Sequence, residues 1–361
     1  MRQGVNEEAV SSFVGRGVPT GVVFRLGARF ARPPSMHLDY ITRGGNSLTK
    51  PERFPDFFLI GAPRCGTTAL SSYLADNPQV CFSRPKEPHY FSLFAPHASL
   101  DDLETAYLAR YFSHYRQSHK AIGEGSISYL YSPDALRRIL NLNPQARFIA
   151  ILRNPLDMLA SYHLRMRFTF MEDVEDFATA WSLQEMRARG ERIPKHCLDP
   201  QLLLYREVAS FGLQIERLYQ LVGRDRSLVL LFDDLVRDPL TVYKHVLKFI
   251  EVEYDGRTRF QRKLRSRIYR YRWLQRLLYA PLASKAHVAD TLHLIWKMNQ
   301  KKKATGRKSW LEQLARWNTI NTRPTPLAPD VKQTLRDTLA EDVTKLSNLL
   351  QRDLSHWLTE P

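Results

Sequence analysis

The sequence predicts an α/β protein in which a parallel β-sheet is covered by helices on both faces. Short apolar runs alternate with helical stretches, and the first run ends in a glycine-containing turn directly before a helix. Strands separated by helices run parallel, because each helix carries the chain back over the sheet before the next strand begins. The 361 residues, 43% of them hydrophobic, are enough to bury such a core.

Three apolar runs are the strand candidates, and each is followed by a turn. The strands are predicted over 57–60, 147–152 and 227–232. The helices that alternate with them are predicted over 67–75, 156–168, 214–222 and 239–250. Continuous apolar runs of this length are typical of parallel strands buried on both faces.

The two ends of the chain differ in character from this alternation. Residues 1–53 carry clusters of Gly, Pro and Arg without a sustained period, which predicts a loosely ordered basic arm before a main domain over 54–358. Beyond residue 253 the chain becomes basic, with an arginine-rich stretch over 257–276 and a lysine-rich run over 301–308. Helical spacing of apolar residues over 329–358 predicts closing helices.

The net charge restricts the class of ligand. With 53 Lys and Arg against 37 Asp and Glu, the formal charge is +16. A positive surface attracts phosphate, sulfate, nucleic acid, anionic glycan or a membrane surface, and charge alone does not choose among them. No nucleic-acid-binding motif is recognised, so no nucleic-acid partner is predicted. The arginine-rich stretch is either a solvated helix face or part of a polyanion site.

The cysteines and the N-terminal region indicate the compartment. Three cysteines, without C-x-x-C or Cys/His spacing, indicate neither a disulfide framework nor a zinc site, and no metal is expected. The first fifty residues lack the continuous apolar core of a signal peptide or a membrane span. The sequence therefore predicts a cytoplasmic, unanchored protein.

The loop between the first strand and helix carries the most specific signal. It reads Gly-Ala-Pro-Arg-Cys-Gly-Thr-Thr over 61–68, in the place where a helix N-terminus can hold an anion. Its spacing is that of the nucleotide-binding P-loop, except that Thr67 stands where the lysine is expected and a cation occurs three residues earlier, at Arg64. A cation inside the loop is suited to a shorter 5′ group than a triphosphate.

At this loop the sequence resembles the 3′-phosphoadenosine 5′-phosphosulfate (PAPS) dependent sulfotransferases, particularly the bacterial members similar to the heparan sulfate branch. The resemblance extends over most of residues 54–358 and implies a P-loop-like parallel sheet with PAPS as donor and no metal. It also implies that the 5′-phosphosulfate lies against the loop, at Arg64, Cys65, Gly66, Thr67, Thr68 and Ala69.

Two further residues match the family at the second strand and helix. Arg153 ends the strand and Ser161 lies eight residues later, inside the helix. The resemblance implies that this pair holds the 3′-phosphate of the donor. A guanidinium offers a forked donor to phosphate, and a hydroxyl two turns along the helix can add another.

The segment Lys86-Glu87-Pro88-His89 resembles the family element that supplies the general base. Glu87 is the favoured base by this match, because a carboxylate can accept the proton of the acceptor. His89 is the alternative, since other members of the fold use histidine. If the segment is extended, the two side chains point to opposite sides, whereas in a turn both can approach the transferred group.

The sequence departs from the family at two places. Gly125 stands where members often carry a lysine, so the contact made by that lysine is in doubt. The basic loop that covers the donor is matched by two segments, 265–270 and 306–308.

The resemblance implies in-line transfer of a sulfuryl group to a hydroxyl acceptor, less readily an amine. The basic surface favours an anionic carbohydrate or a glycolipid as the acceptor. Two alternatives remain. A P-loop kinase or NTPase is supported by the apolar run 228–232 before Asp233, and a non-catalytic polyanion-binding protein by the net charge. The sequence does not predict an oligomeric state.

Overall fold

A five-stranded parallel sheet forms the centre of the molecule, with strand order β2-β3-β1-β4-β5. The computed structural model describes residues 53–94, 103–197, 199–261, 266–279, 310–324 and 326–359. The strands are β1 Phe57–Gly61, β2 Val80–Phe82, β3 Ala121–Gly125, β4 Arg147–Leu152 and β5 Ser227–Leu231. The predicted α/β class and the three predicted strands are confirmed, with the third ending one residue early because Phe232 begins a helix.

Helices flank this sheet. The α-helices are α1 Thr67–Asp76, α2 Ala109–Tyr111, α3 Pro133–Leu142, α4 Pro155–Phe168, α5 Phe177–Ser182, α6 Gln184–Ala188, α7 Tyr205–Ala209, α8 Phe211–Val222, α9 Phe232–Arg237, α10 Pro239–Phe249, α11 Arg272–Tyr279, α12 Trp310–Asn318 and α13 Pro329–Leu350. The described residues also contain two π-helical turns, Tyr90–Phe94 and Leu103–Leu108, and two 3₁₀ turns, Pro200–Leu203 and Ser355–Trp357. No described helix is both long enough and apolar enough to cross a bilayer.

The core of the sheet explains why the first predicted strand is so apolar. Every residue of β1 and every residue of β4 except Arg147 is buried, as expected for central parallel strands. Phe58 pairs with Phe148 across these strands, and their rings stack at 5.7 Å. On the other side Phe57 lies against Gly123, where a Cβ would come within 2.1 Å of the Phe57 ring, so this position requires glycine.

The closing helix α13 is held on α8 by its own carboxylate. Both Asp342 oxygens accept hydrogen bonds from the first turn of α8, at 2.8 Å from the Gly212 N–H and 2.9 Å from the Leu213 N–H. These N–H groups have no partner within their own helix, so the carboxylate acts as a cap. Gly212 allows the close approach, since a Cβ there would lie 2.3 Å from the Asp342 carbonyl oxygen.

The arginine-rich stretch does not form one continuous helix, so the interpretation as a single solvated helix face is wrong, and the interpretation as part of a polyanion site stays a prediction. Within the stretch, 266–269 form strand β6, and 272–279 form helix α11. Strand β6 pairs antiparallel with β7, Thr319–Thr322, in a separate two-stranded sheet. This pair of strands was not predicted from the sequence, because the pairing joins segments that are about fifty residues apart. The predicted arm 1–53, apart from Arg53, and the lysine-rich run 301–308 lie outside the described residues.

Candidate functional site

Loops that follow four of the parallel strands meet at one edge of the sheet. Residues 62–66 follow β1, 83–89 follow β2, 126–128 follow β3 and 153–154 follow β4. The carboxyl ends of parallel strands lie on the same side, which is where open α/β sheets bind ligands. The topology therefore brings together the loops that contain Arg64, Cys65, Gly66, Glu87, His89 and Arg153. The other predicted site residues lie in the helices that follow, with Thr67, Thr68 and Ala69 in the first turn of α1 and Ser161 inside α4.

The loop 62–66 is shaped to receive an anion at the start of α1. Gly66 has a φ of 93°, and a Cβ there would also come within 3.0 Å of the Leu235 and Phe232 side chains. Among the described residues no side chain caps α1, and its first turn contains no acidic residue. The N-terminal N–H groups of α1 and its dipole are therefore not satisfied by a carboxylate of the helix itself.

Arg64 is the cation at this loop. Its Nε donates to Ser161 Oγ at 2.8 Å, and its Nη2 donates to Ser266 Oγ at 3.1 Å. Burial, together with the like charges of Arg165 and Arg153, lowers the pKa of Arg64 to about 10, so the guanidinium is still protonated at neutral pH. Three arginines that repel one another suit a ligand that carries more than one anionic group.

Arg153 and Ser161 are both at this edge, but each has a partner of its own. Arg153 donates to Asp157 at 2.9 Å, and its guanidinium lies 4.9 Å from the centre of the Phe232 ring. Ser161 is buried in α4 and contacts Arg64 rather than Arg153 in the described structure. The shared role of Arg153 and Ser161 in holding a 3′-phosphate stays a prediction.

The other predicted loop residues differ in what they offer to a ligand. Cys65 is fully buried, its thiol lies 3.2 Å from the Pro63 carbonyl oxygen, and burial raises the pKa of the thiol. Thr67 and Ala69 are buried, whereas Thr68 is exposed. Cys65 therefore offers only main-chain groups to a polar ligand, and Thr68 also presents its hydroxyl. The Ala69 N–H already donates to the Gly66 carbonyl oxygen at 2.9 Å, so it is not available to a ligand.

The segment that contains Glu87 and His89 is a turn and not an extended strand. Both residues have positive φ, 66° and 53°. The Glu87 N–H donates to the Gly125 carbonyl oxygen at 2.8 Å, which attaches the turn to the end of β3. Glu87 Oε2 then lies 3.8 Å from His89 Nε2, so both side chains come to the same side. Of the two sequence-based expectations for this segment, the turn is confirmed.

His89 is oriented by the serines that follow β3. Its N–H donates to Ser126 Oγ at 2.9 Å, and its Nδ1 lies 2.7 Å from Ser128 Oγ. With Nδ1 engaged by Ser128, Nε2 is the ring nitrogen that faces Glu87. The His89 ring therefore faces the Glu87 carboxylate.

Lys86 is a site residue to which sequence reasoning gave no role. Its ammonium contacts Glu87 Oε1. Burial alone would raise the pKa of Glu87, but the Lys86 ammonium and His89 outweigh it and hold that pKa well below the ordinary range. A Cβ at Gly125 would lie 3.6 Å from Lys86 Cε. The lysine from the β2 loop therefore reaches the position where the resemblance led us to expect a lysine on β3.

Ser266 is the second residue that the sequence did not reveal. Besides accepting from Arg64, its Oγ lies 3.2 Å from Ser161 Oγ. Strand β6 is thereby placed beside the loop 62–66, so the described part of the segment 265–270 contacts the candidate site. Residue 265 and the competing segment 306–308 lie outside the described residues. Ser266 lies 202 positions from Arg64 in the sequence, so no local sequence pattern could have predicted this contact.

The described residues contain no group of three or more His, Cys, Asp or Glu side chains arranged to hold a metal ion.

A family model described as "Sulfotransferase domain" matches residues 54–271, more than half of the chain. The chain is 29% identical over 117 residues to the membrane-associated sulfotransferase kil1 of Dictyostelium discoideum, which is 32% of this chain and 24% of that protein. It is 27% identical over 213 residues to the bifunctional heparan sulfate N-deacetylase/N-sulfotransferase 3 of Homo sapiens, 56% of this chain and 23% of that protein.

Among solved structures, a sulfotransferase from Alicyclobacillus acidocaldarius matches with a TM-score of 0.57 and 24% identity, covering 84% of this chain and 99% of that chain. This likeness shows a common fold. The matched regions cover about a quarter of the length of each of the two curated relatives named above.

Proposed function

This chain belongs to the sulfotransferase domain family, and on that premise we propose that it transfers a sulfuryl group from PAPS to a hydroxyl group of an acceptor. The observation that carries the proposal is the displaced loop cation, Arg64, at the uncapped start of α1 and electrostatically coupled to Arg153 and Arg165. A P-loop kinase would need a lysine at position 67, which is threonine.

In the proposed site each group of the donor has a separate set of protein partners. Arg64, the N–H groups at Gly66 to Thr68 and the Thr67 and Thr68 hydroxyls would hold the 5′-phosphosulfate. Arg153 and Ser161 would hold the 3′-phosphate. PAPS supplies a sulfuryl group that is already activated by its bond to a phosphate.

The chemistry that remains for the protein is positioning, charge neutralisation and proton transfer. A bond forms between the acceptor oxygen and sulfur as the bond between sulfur and the bridging oxygen breaks. Glu87 would take the acceptor proton, and the electron pair would leave with the 5′-phosphate, next to Arg64. His89 is the alternative base. No step requires a metal.

The acceptor class is a carbohydrate or glycolipid, less readily an amine. This choice is supported by the net charge of +16 and by the similarity to a relative named for heparan sulfate. We also propose a cytoplasmic location, because the thiols of Cys65, Cys81 and Cys197 are free. Screening acceptor pools with PAPS, and reading each product for the added mass of SO₃ by mass spectrometry, would identify the acceptor.

Nucleotide binding tests the reaction class directly. Calorimetry in EDTA is expected to give tight binding of 3′-phosphoadenosine 5′-phosphate, the donor without its sulfuryl group, and weaker binding of ATP. Arg153→Ala is expected to weaken this nucleotide by about 1.5–3 kcal/mol, the range for a hydrogen bond to a charged group, and to leave binding of the analogue without the 3′-phosphate unchanged.

Magnesium-dependent binding of ATP that equals or exceeds that of the bisphosphate would contradict the proposal in favour of a kinase. An equal loss for both analogues in Arg153→Ala would give this arginine a structural role.

A further inference from the structure

A surface on the two-stranded sheet and its two helices combines exposed aromatic residues with arginines. Five of the eight large hydrophobic side chains exposed in the described residues lie here: Tyr271, Trp273, Leu277, Trp310 and Trp317. Five exposed arginines accompany them: Arg267, Arg270, Arg272, Arg276 and Arg316. We call these ten residues the basic aromatic surface. Exposed apolar side chains clustered in this way mark a binding surface.

Helix α11 has one buried face and one exposed face, and the exposed face forms part of the basic aromatic surface. Leu274 and Gln275 point inward and are 3% and 0% exposed. Trp273 and Leu277, four residues apart on the opposite side, are each 67% exposed, and an exposed arginine precedes each of them. The outward face therefore alternates a cation and a large apolar side chain over its described length.

The surface is held in place by buried polar contacts beneath it. Asn318 is fully buried, and its Nδ2 donates to Gln275 Oε1 at 3.1 Å, which ties the end of α12 to α11. Above this contact the Tyr271 and Trp317 rings stack at 5.5 Å. Arg270 donates from Nε to the Trp317 carbonyl oxygen at 2.9 Å. The aromatic side chains are thus presented on a fixed scaffold.

We propose that the basic aromatic surface docks the protein on the surface of an anionic phospholipid bilayer. Tryptophan and tyrosine favour the boundary between headgroups and acyl chains, leucine can enter the apolar layer, and arginine pairs with lipid phosphates. The outward positions of α11 described by the structure, 272, 273, 276 and 277, contain just these residue types. Docking of this kind is peripheral and needs no membrane-spanning helix.

Two other occupants fit less well. The chain's own segment 280–309, which joins α11 to α12 in sequence, contains seven Lys and Arg residues and one acidic residue, so its charge does not complement a surface with five arginines. An uncharged glycan is usually recognised by amide and carboxylate side chains beside an aromatic ring, and the outward positions of α11 named above offer none. An anionic glycan would pair with the arginines but has little apolar surface to contact Trp273 and Leu277.

Vesicle co-sedimentation of the full chain tests the inference. Binding is expected to vesicles of equimolar phosphatidylcholine and phosphatidylglycerol, to be much weaker with phosphatidylcholine alone, and to fall as salt increases. Trp273→Ala/Leu277→Ala is expected to weaken binding roughly tenfold, because two side chains that enter the boundary are lost. Arg272→Gln/Arg276→Gln is expected to weaken it and to reduce its salt dependence.

Matched controls replace residues of the same types elsewhere on the surface. Leu213 and Tyr254 are also exposed, and Leu213→Ala/Tyr254→Ala is expected to bind as the wild type does. Arg189→Gln/Arg192→Gln controls for the loss of two positive charges. These substitutions are all at exposed positions, and circular dichroism confirms that each variant is folded.

Equal binding to both vesicle types, or equal binding by wild type and Trp273→Ala/Leu277→Ala, would overturn the inference. If the wild type ignores vesicles but binds dextran sulfate through this surface, the occupant is a glycan. A dimer that Trp273→Ala/Leu277→Ala dissociates, again without vesicle binding, would identify a second copy. Vesicle binding is measured without donor or acceptor, so its outcome is independent of sulfuryl transfer.

Discussion

Glu87 and Glu172 both have cationic partners, and the surroundings of the two carboxylates differ. Glu87 contacts the Lys86 ammonium and lies 3.8 Å from His89, with a side chain that is 32% exposed. Glu172 forms a two-point ion pair with Arg187, at 2.7 and 2.8 Å, and both of these side chains are fully buried. In both carboxyl groups the cationic partner overcomes burial and lowers the pKa.

The difference lies in how many hydrogen bonds each carboxylate already accepts. Glu172 also accepts from the Tyr205 hydroxyl at 2.7 Å and from the N–H groups of Asp173 and Val174 at 3.0 Å. A carboxylate with five donors has no lone pair left for a ligand. Among the residues that the structure describes, the Glu87 carboxylate has only the Lys86 and His89 side chains as partners, and its side chain stays partly exposed at the edge of the sheet where the loop 62–66 lies. A carboxylate whose hydrogen-bonding capacity is filled by the protein indicates a structural ion pair. A carboxylate with few protein partners at a ligand-binding edge indicates a group that acts on a substrate.

Glu87→Gln is expected to give the largest effect in the molecule. The amide cannot accept the acceptor proton, so kcat should fall by about 10²- to 10⁴-fold, while affinity for the donor nucleotide stays near that of the wild type. Single-turnover transfer from PAPS to an acceptor found in the screen, with nucleotide affinity measured separately, checks this.

His89→Asn is the matched comparison and is expected to lose much less activity. If Glu87→Gln keeps near-normal turnover and His89→Asn is inactive, the histidine is the base and the carboxylate supports it. The contrast between Glu87 as a catalytic carboxylate and Glu172 as a structural one would then be wrong.

Arg187→Met is expected to act on folding instead of on rate. It leaves the Glu172 carboxylate buried without its cation, and removal of one partner of a buried pair costs about 3–5 kcal/mol of unfolding free energy. Urea denaturation measures the loss, and nucleotide affinity of the folded protein should be unchanged. Arg189→Met is the control, because its pair with Glu191 is exposed and should not contribute measurably. If Arg187→Met has normal stability but no longer binds nucleotide, the Glu172–Arg187 pair belongs to the binding site and is not a structural ion pair.

Lys86→Met is expected to give the smallest effect, a displaced pH profile. The ammonium lowers the pKa of Glu87 below its ordinary value of 4.5, so the carboxylate stays charged as pH falls through that value. Without the ammonium the pKa rises, and the acid limb of kcat/KM should move to higher pH. Lys120→Met, which removes a lysine from an exposed pair with Glu253, should leave the limb in place. A uniform drop in rate at every pH would mean that Lys86 does not act through Glu87.

The sequence determined three of the five strands of the central sheet and the loop that we propose receives the donor. Continuous apolar runs need burial on both faces, so 57–60 and 147–152 were identifiable as parallel strands without any tertiary information. The loop after β1 was identifiable because a glycine, a cation and a helix start follow a strand at fixed spacing. Both signals are local, since steric and solvation preferences act over a few neighbouring residues.

Only the tertiary structure decided which distant side chains share the site. Ser266 meets Arg64 across 202 positions, and Ser128 meets His89 across 39, because strands that are remote in sequence lie side by side. The left-handed backbone at Glu87 and His89 decided that both side chains point to one side. The antiparallel pairing of β6 and β7 likewise depends on contacts between remote segments, and an arginine-rich composition does not encode its partner. Such contacts follow from the packing of whole elements, which local periodicity does not specify.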